Sequence, residues 1–258
     1  MRESLLDDVR RFSNDPEADE FAAAMLVNRA LEDNLDSLAL QHRVQRLVVD
    51  CSEPVRPWLY LSQLGFGGNQ ASYNSLENSR LDWLLEQRRG IPISLGVLLI
   101  QVARSLGLEA VGINFPGHFL VRIGDQLVDP FRMTETSESE CLAGLGEAGG
   151  QLSPAEVFRQ ASPMAVLLRM LNNLKYQFAQ RGEWHRSLDM VDLQLAVEPD
   201  NPRLLVERGE LWWRLGGIGA ARDTLERALS LADGRDEDVV KLARQRLHDL
   251  GSDDGVLH

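Results

Sequence analysis

The stretch FPGHFLVRIGDQLVDPF, residues 115–131, holds a histidine and an aspartate at a spacing that suits a general base and the carboxylate that orients it. Phe119 to Ile123 alternates apolar and polar, as does Gln126 to Asp129, and Gly124-Asp125 between them is a two-residue hairpin turn. That turn pairs Ile123 with Gln126 and sets Asp129 opposite Leu120. His118 and Asp129 then share one face as diagonal neighbours, about 7–8 Å apart at the backbone, a gap that an imidazole and a carboxylate can close. Phe119, Val121, Ile123 and Val128 form the other, wholly apolar face. A slip of one residue in register would separate the pair. Hairpin geometry alone leaves two roles open, a structural His–Asp contact and a catalytic or relic catalytic dyad.

Other elements must hold this hairpin. In IPISLGVLLIQVARSLGL nearly every position is apolar, which predicts a helix buried on most sides, with Ser94 placed to cap it and Gly107 to end it. EAVGINF reads as a strand beside the hairpin. Upstream, ADEFAAAMLVNRAL and a segment from about Asp36 to Val49 read as helices, PWLYLSQ as a short helix followed by an ordered loop, and SRLDWLLEQRRG as another short helix ended by Gly90. The expectation is an α+β domain, one central helix on a small antiparallel sheet, with helices of residues 1–48 packed on a core of residues 49–160.

The chain has 258 residues, 44% hydrophobic and 26% charged, with a net charge of −12. That balance argues against nucleic acid or an anionic membrane surface as the main partner. The two cysteines, Cys51 and Cys141, stand in no metal-ligand spacing and fit a reducing compartment; the histidines are scattered. No cofactor, metal or phosphate loop is read, since GFGGN lacks the strand-to-helix context and the lysine. The charged start MRESLLDDVRRF lacks a signal-peptide core, and LGVLLI is too short to span a bilayer, so a cytoplasmic bacterial-type protein is expected.

After Pro163 the pattern becomes wholly helical and repeats. At a shift of 34 residues Phe178 falls on Trp212, Gly182 on Gly216, Ser187 on Ala221, Val191 on Leu225 and Leu195 on Leu229. This is the helix-turn-helix period of tetratricopeptide repeats. It predicts helices near 168–181, 184–197, 202–214 and 218–231, then a cap near 236–249 within a repeat domain of residues 163–250, and a loose tail over 251–258. SESECLAGLGEAGGQLSPAEVF reads as a linker with helical pieces.

The segments LGFGGNQASYNSLENSRLDWLLEQRRGIPIS, FPGHFLVR and VDPF, followed by two such repeats, resemble the bacterial SirB-one family over roughly residues 15–250. The resemblance implies a transglutaminase-like, papain-like first domain, and for such enzymes a Cys–His–Asp triad with the cysteine at the head of the buried helix, where the helix dipole lowers its pKa. His118 and Asp129 match the histidine and aspartate positions. The cysteine does not carry over: Pro92 falls in or near its slot, and Ser94 is the nearest hydroxyl, read either as a helix cap or as a reactive group. Asn78 and Ser79 are candidates to line the same cleft, or are turn residues. Arg88 and Arg89 read as charge matching at a helix end. Arg122 shares the His118 face and is a candidate partner for Asp129 or for a substrate carboxylate.

Two functions follow. One is a protein-binding or scaffolding module, a transglutaminase-like domain without its thiol joined to repeats whose concave face holds a protein or peptide, with Trp184, Trp212 and Trp213 supplying both anchors and inter-repeat core. The other is a hydrolase or acyl transferase using His118 and Asp129 with Ser94 or water. A plugged cleft, or Ser94 turned into its own helix, favours binding; a hydroxyl within reach of His118 favours the enzyme.

Overall fold

The computed structural model describes residues 2–32, 36–51, 55–145, 153–232, 234 and 236–253. In chain order the first elements are α1 (Arg2–Ser13), α2 (Glu20–Leu31), α3 (Ser37–Val49), α4 (Pro57–Gln63), β1 (Gly67–Gly68), a 3-10 turn (Leu76–Ser79), α5 (Leu81–Gln87), β2 (Arg89–Gly90) and α6 (Pro92–Ser105). Then come β3 (Ala110–Ile113), β4 (Leu120–Ile123), β5 (Gln126–Asp129), β6 (Thr134–Thr136), α7 (Glu138–Gly144) and α8 (Pro154–Val157). The rest is helical: α9 (Pro163–Gln180), α10 (Trp184–Val197), α11 (Pro202–Arg214), α12 (Ile218–Ala232) and α13 (Glu237–Asp253). The chain divides into two units, Phe12–Met170, and Arg2–Arg11 together with Leu171 onward.

The first unit is the expected α+β domain, organised by α6. Pro92 to Ile100, with Val102 and Ala103, are all buried in this helix. α2, α3 and α4 pack around it, and β3 and β4 close it from the sheet. Two small residues let the sheet come close. A Cβ on Gly96 would meet the Phe119 ring at 2.6 Å, and one on Gly112 of β3 would meet the same ring at 2.5 Å. Phe119 is thus clamped between helix and sheet, fully buried, a burial that contributes about 1.5–3 kcal/mol.

Polar side chains pin α2 onto this core. Arg104 forks onto buried Glu20 at 2.6 and 3.1 Å while its Nε donates to the Ala110 carbonyl. Fully buried Asn28 donates to Asp82 and accepts from the Leu81 backbone N–H, which joins α2 to the start of α5. A buried amide is tolerated because both ends are hydrogen-bonded.

The sheet runs β3-β4-β5-β6, all antiparallel. Its hairpin pairs Ile123 with Gln126 and Val121 with Val128, the register that the Gly124-Asp125 turn predicts. β6 was not expected; Thr134, Glu135 and Thr136 form a short polar edge strand, which offers no apolar alternation to read. α5 ends at Gln87, and the left-handed cap is Arg88 with φ 58°, not Gly90. Gly90 lies in β2, where a Cβ would meet Leu84 at 2.6 Å and the Ser94 hydroxyl at 2.9 Å. Of the linker, α7 and α8 are short helices, each opened by a serine–glutamate capping box from Ser137 and Ser153; residues 146–152 lie outside the described residues.

The second unit carries the repeats. Three of the four repeat helices fall at or within a residue of the bounds predicted from the period of 34; the first, α9, starts at Pro163 and not near 168, and its residues through Met170 belong to the first unit. Gly182 and Gly216, one period apart, both take positive φ in the turns, 72° and 77°. Gly209 marks the close crossing of α11 and α12, since a Cβ there would stand 2.7 Å from Leu225. Ala221 and Leu225 are buried in the same core. Two expectations need correction. The first helix groups with this unit over Arg2–Arg11, because amphipathic spacing names a buried stripe but not the surface that covers it. α13 continues through Asp253, so residues 251–253 are helix and not loose tail; residues 254–258 lie outside the described residues.

Ala221→Leu is expected to overpack the α11–α12 crossing and cost about 1–3 kcal/mol, read from urea unfolding of the full chain. An unchanged midpoint would show that the crossing is not close-packed.

Candidate functional site

β4 and β5 bring the sequence-predicted pair together. His118 Nε2 lies 2.9 Å from Asp129 Oδ1. The local chain explains both positions. Pro116-Gly117 makes a turn, Gly117 with φ 69°, closed by the His118 N–H donating to the Phe115 carbonyl at 3.1 Å. At the other end Asp129-Pro130 turns the chain so that Asp129 Oδ1 also accepts the Phe131 N–H at 2.9 Å and the Arg132 N–H at 3.3 Å, an Asx turn. The aspartate is therefore a turn-former and a histidine partner at once.

Burial acts to raise the Asp129 carboxyl, but the His118 hydrogen bond and charge and the two backbone N–H donors outweigh it and hold the carboxyl below its ordinary value. An ionised carboxylate only accepts, so the proton between the pair sits on Nε2 of the imidazole. Nδ1 is then the basic nitrogen, and it has no hydrogen-bond partner among the described residues. The pair opens onto a cleft of about 580 Å³ whose walls include Phe115, Leu120, Arg132, Thr134, Thr136 and Cys141.

The remaining predicted site residues do not join it. Ser94 is fully buried at the third position of α6; its hydroxyl donates to the Asn78 carbonyl at 2.6 Å and accepts the Ile91 N–H at 3.2 Å. It is neither the N-cap residue, which is Ile91, nor a free hydroxyl, because the helix head needs it as a brace. Asn78 and Ser79 are likewise wholly buried and do not line the cleft. The Asn78 amide instead donates to the Ser72 and Tyr73 carbonyls and accepts from Asn69, tying down its loop. Arg122 does share the face of the dyad, but it reaches across the sheet to Glu138, at the start of α7, at 2.8 Å rather than to Asp129. The arginine beside Asp129 is Arg132, 3.6 Å away, which sequence reasoning missed; the signal was the Asp-Pro turn, which returns the chain to its own aspartate.

Cys141 reaches the cleft from α7. Its sulfur lies 3.6 Å from the Thr136 hydroxyl, and burial, followed by the charges of Asp129, Glu140 and Glu138, pushes the thiol up, away from the thiolate form. Phe131 occupies the space toward the strands that lead into α6. Its ring covers Gly68, where a Cβ would come within 2.3 Å, and stands edge-on to His118 with centroids 6.4 Å apart. Among the described residues no group of three His, Cys, Asp or Glu side chains could hold a metal ion, and no helix is long and apolar enough to cross a membrane.

Because the folded Asp129 binds its proton at lower pH than the unfolded chain, its stabilisation is present above the ordinary carboxylate value, about 3.9, and is lost as pH falls below it. Asp129→Asn is expected to cost about 1–3 kcal/mol near neutral pH, with the gap to the parent closing as pH drops below about 4. Urea titrations between pH 6 and 3 that give a constant gap would contradict this.

Residues 30–172 match the family model of the transglutaminase-like superfamily, and residues 174–248 match that of the tetratricopeptide repeat. A UPF0162 protein of Xylella fastidiosa (strain 9a5c) is 35% identical over 205 residues, covering 75% of this chain and 72% of that protein. A UPF0162 protein of Pseudomonas aeruginosa is 31% identical over 183 residues, 69% of this chain and 68% of its own. F-box only protein 21 of Mus musculus is 32% identical over 198 residues, 70% of this chain but 30% of that longer protein. No solved structure gives a significant match. The chain therefore belongs to the transglutaminase-like superfamily, joining a core of that kind to tetratricopeptide repeats as a homologue of the UPF0162 proteins.

Proposed function

We propose that this chain is a cytoplasmic bacterial protein- or peptide-binding module, whose transglutaminase-like core has no nucleophile at the head of α6 and whose repeats hold the partner. The observation that carries this reading is the state of that helix head. It presents Pro92, Ile93 and Ser94; the first two have no nucleophilic atom, and the third has its hydroxyl buried and engaged at both its donor and acceptor sides. The raised Cys141 thiol supports the same reading.

The repeat unit has side chains suited to a partner, although its tryptophans also pack its core. Trp184, Trp212 and Trp213 pack against the repeat cores, with Arg214 stacked over Trp184 at 4.7 Å. Tyr176 of α9 is the exposed aromatic, 61% accessible, and a pocket of about 360 Å³ is lined by Glu210, Trp213, Arg214 and Arg246. Aromatic and arginine side chains of this kind are the usual anchors of protein interfaces.

A second reading has its own observation. The His118–Asp129 hydrogen bond and the basic Nδ1 facing no partner suit general-base activation of water, as in a hydrolase or acyl transferase. Quantitative cross-linking of the full chain in cells separates the two. Under the binding reading, Tyr176→Ser with Arg214→Ser lowers partner recovery about tenfold or more, while His118→Ala changes only stability, by about 1–3 kcal/mol. Purified amide or ester turnover that His118→Ala abolishes, and that survives replacement of both cysteines, would establish the second reading instead.

A further inference from the structure

Among the described residues Arg169 is a cation without a counter-charge. It stands on the part of α9 that belongs to the first unit, where Nη1 donates to the Asn114 side-chain oxygen and to the Phe115 carbonyl at 3.1 Å. That carbonyl is the one that closes the His118 turn, accepting the His118 N–H at the same distance. The arginine and the histidine are therefore fastened to a single oxygen atom.

No carboxylate reaches ion-pair distance of Arg169 among the described residues, and its Nε and Nη2 have no partner there. Burial pulls the guanidinium below its ordinary value, and the one titratable group whose field offsets this is the Tyr73 phenol. Arg104 and Arg80, part-buried in the same unit, are forked onto Glu20 and Asp82, and Arg122 pairs with Glu138. In a chain with 39 acidic side chains, this part-buried guanidinium is held by two neutral oxygens and, among the described residues, by no carboxylate. Taking a guanidinium from water without an anion is unfavourable unless something else supplies the charge. The unengaged Nε–Nη2 edge has the fork geometry that accepts two carboxylate oxygens side by side.

We propose that Arg169 is a ligand-binding residue that receives a carboxylate, two-pronged on its Nε–Nη2 edge, next to the His118–Asp129 cleft. A peptide C-terminus and an acidic side chain share this chemistry. The site lies in the core domain and stands independently of the repeat-face reading.

Titration of the full chain, followed by the NMR signals of the Arg169 Nε–H and the His118 backbone N–H, tests it. The probes are N-acetylglycylglycine, its C-terminal amide, and N-acetylaspartic acid α-amide, which carries its carboxylate on the side chain. Both signals are expected to shift saturably with at least one acid and not with the amide, and the acid that saturates at lower concentration identifies the source. Arg169→Gln is expected to weaken that binding by about tenfold or more, and Arg169→Lys, which keeps the charge without the fork, by a smaller factor. If Arg169→Gln does not fold, Arg169→Lys decides. Equal shifts with acid and amide, no saturation with either acid, or unchanged affinity in Arg169→Lys would overturn the proposal.

Discussion

The ring of Phe119 lies between Gly96 of α6 and Gly112 of β3, and the placement of the candidate site follows from that contact. Neither glycine could carry a Cβ without striking the ring. Because the ring is held from both sides, the start of β4 has one height and one facing relative to the helix. His118 is the next residue back along the chain, so the imidazole must point to the opposite face of the sheet. The register of the hairpin then brings Asp129 beneath it. A larger residue at either glycine would displace the strand and, with it, the imidazole, although neither glycine touches the dyad.

Around that fixed point, polar groups are used as braces rather than as reagents. The Ser94 hydroxyl and the Asn78 carbonyl join the head of α6 to the loop before α5. The Asn78 side chain closes the same loop on Ser72 and Tyr73, and Asn28 joins that region to α2. Each brace is buried with its donors and acceptors met, so each would be costly to break. An attacking group needs the contrary condition, a hydroxyl or thiolate that can leave its partner. In this core the hydroxyl at the helix head is held at both its donor and acceptor sides, and the thiol in the cleft is held protonated by burial and by neighbouring carboxylates. The dyad is assembled while the neighbouring hydroxyl and thiol are constrained, and the proposed binding function rests on that contrast.

The repeat unit makes the complementary use of side chains. Its tryptophans and small residues serve the packing between helices, where Gly209 and Ala221 permit close crossing. Arg208 with Asp192 links α11 to α10 by charge, and Lys175 with Glu207 and Arg246 with Glu210 link α11 to α9 and to α13. Pairs of this sort add little stability but penalise a shifted register. The surface proposed for recognition is made of residues at the edge of that packing, Tyr176 and Arg214, which stacks over Trp184, among them.

Local and periodic information in the chain was enough to determine the buried helix, the hairpin with its register, the diagonal placement of His118 and Asp129, and the repeat helices. Each of these rests on spacing along the chain or on a turn whose chemistry is local. Tertiary structure alone decided what each polar side chain is for. Ser94 and Asn78 became braces, Arg122 went to Glu138, and Arg132 came back to Asp129, because partners separated by many residues, or by a turn of unknown direction, leave no periodic trace. The same limit hid β6, the docking of the first helix, and Arg169, whose lack of a counter-charge among the described residues is a property of its surroundings and not of its neighbours in sequence.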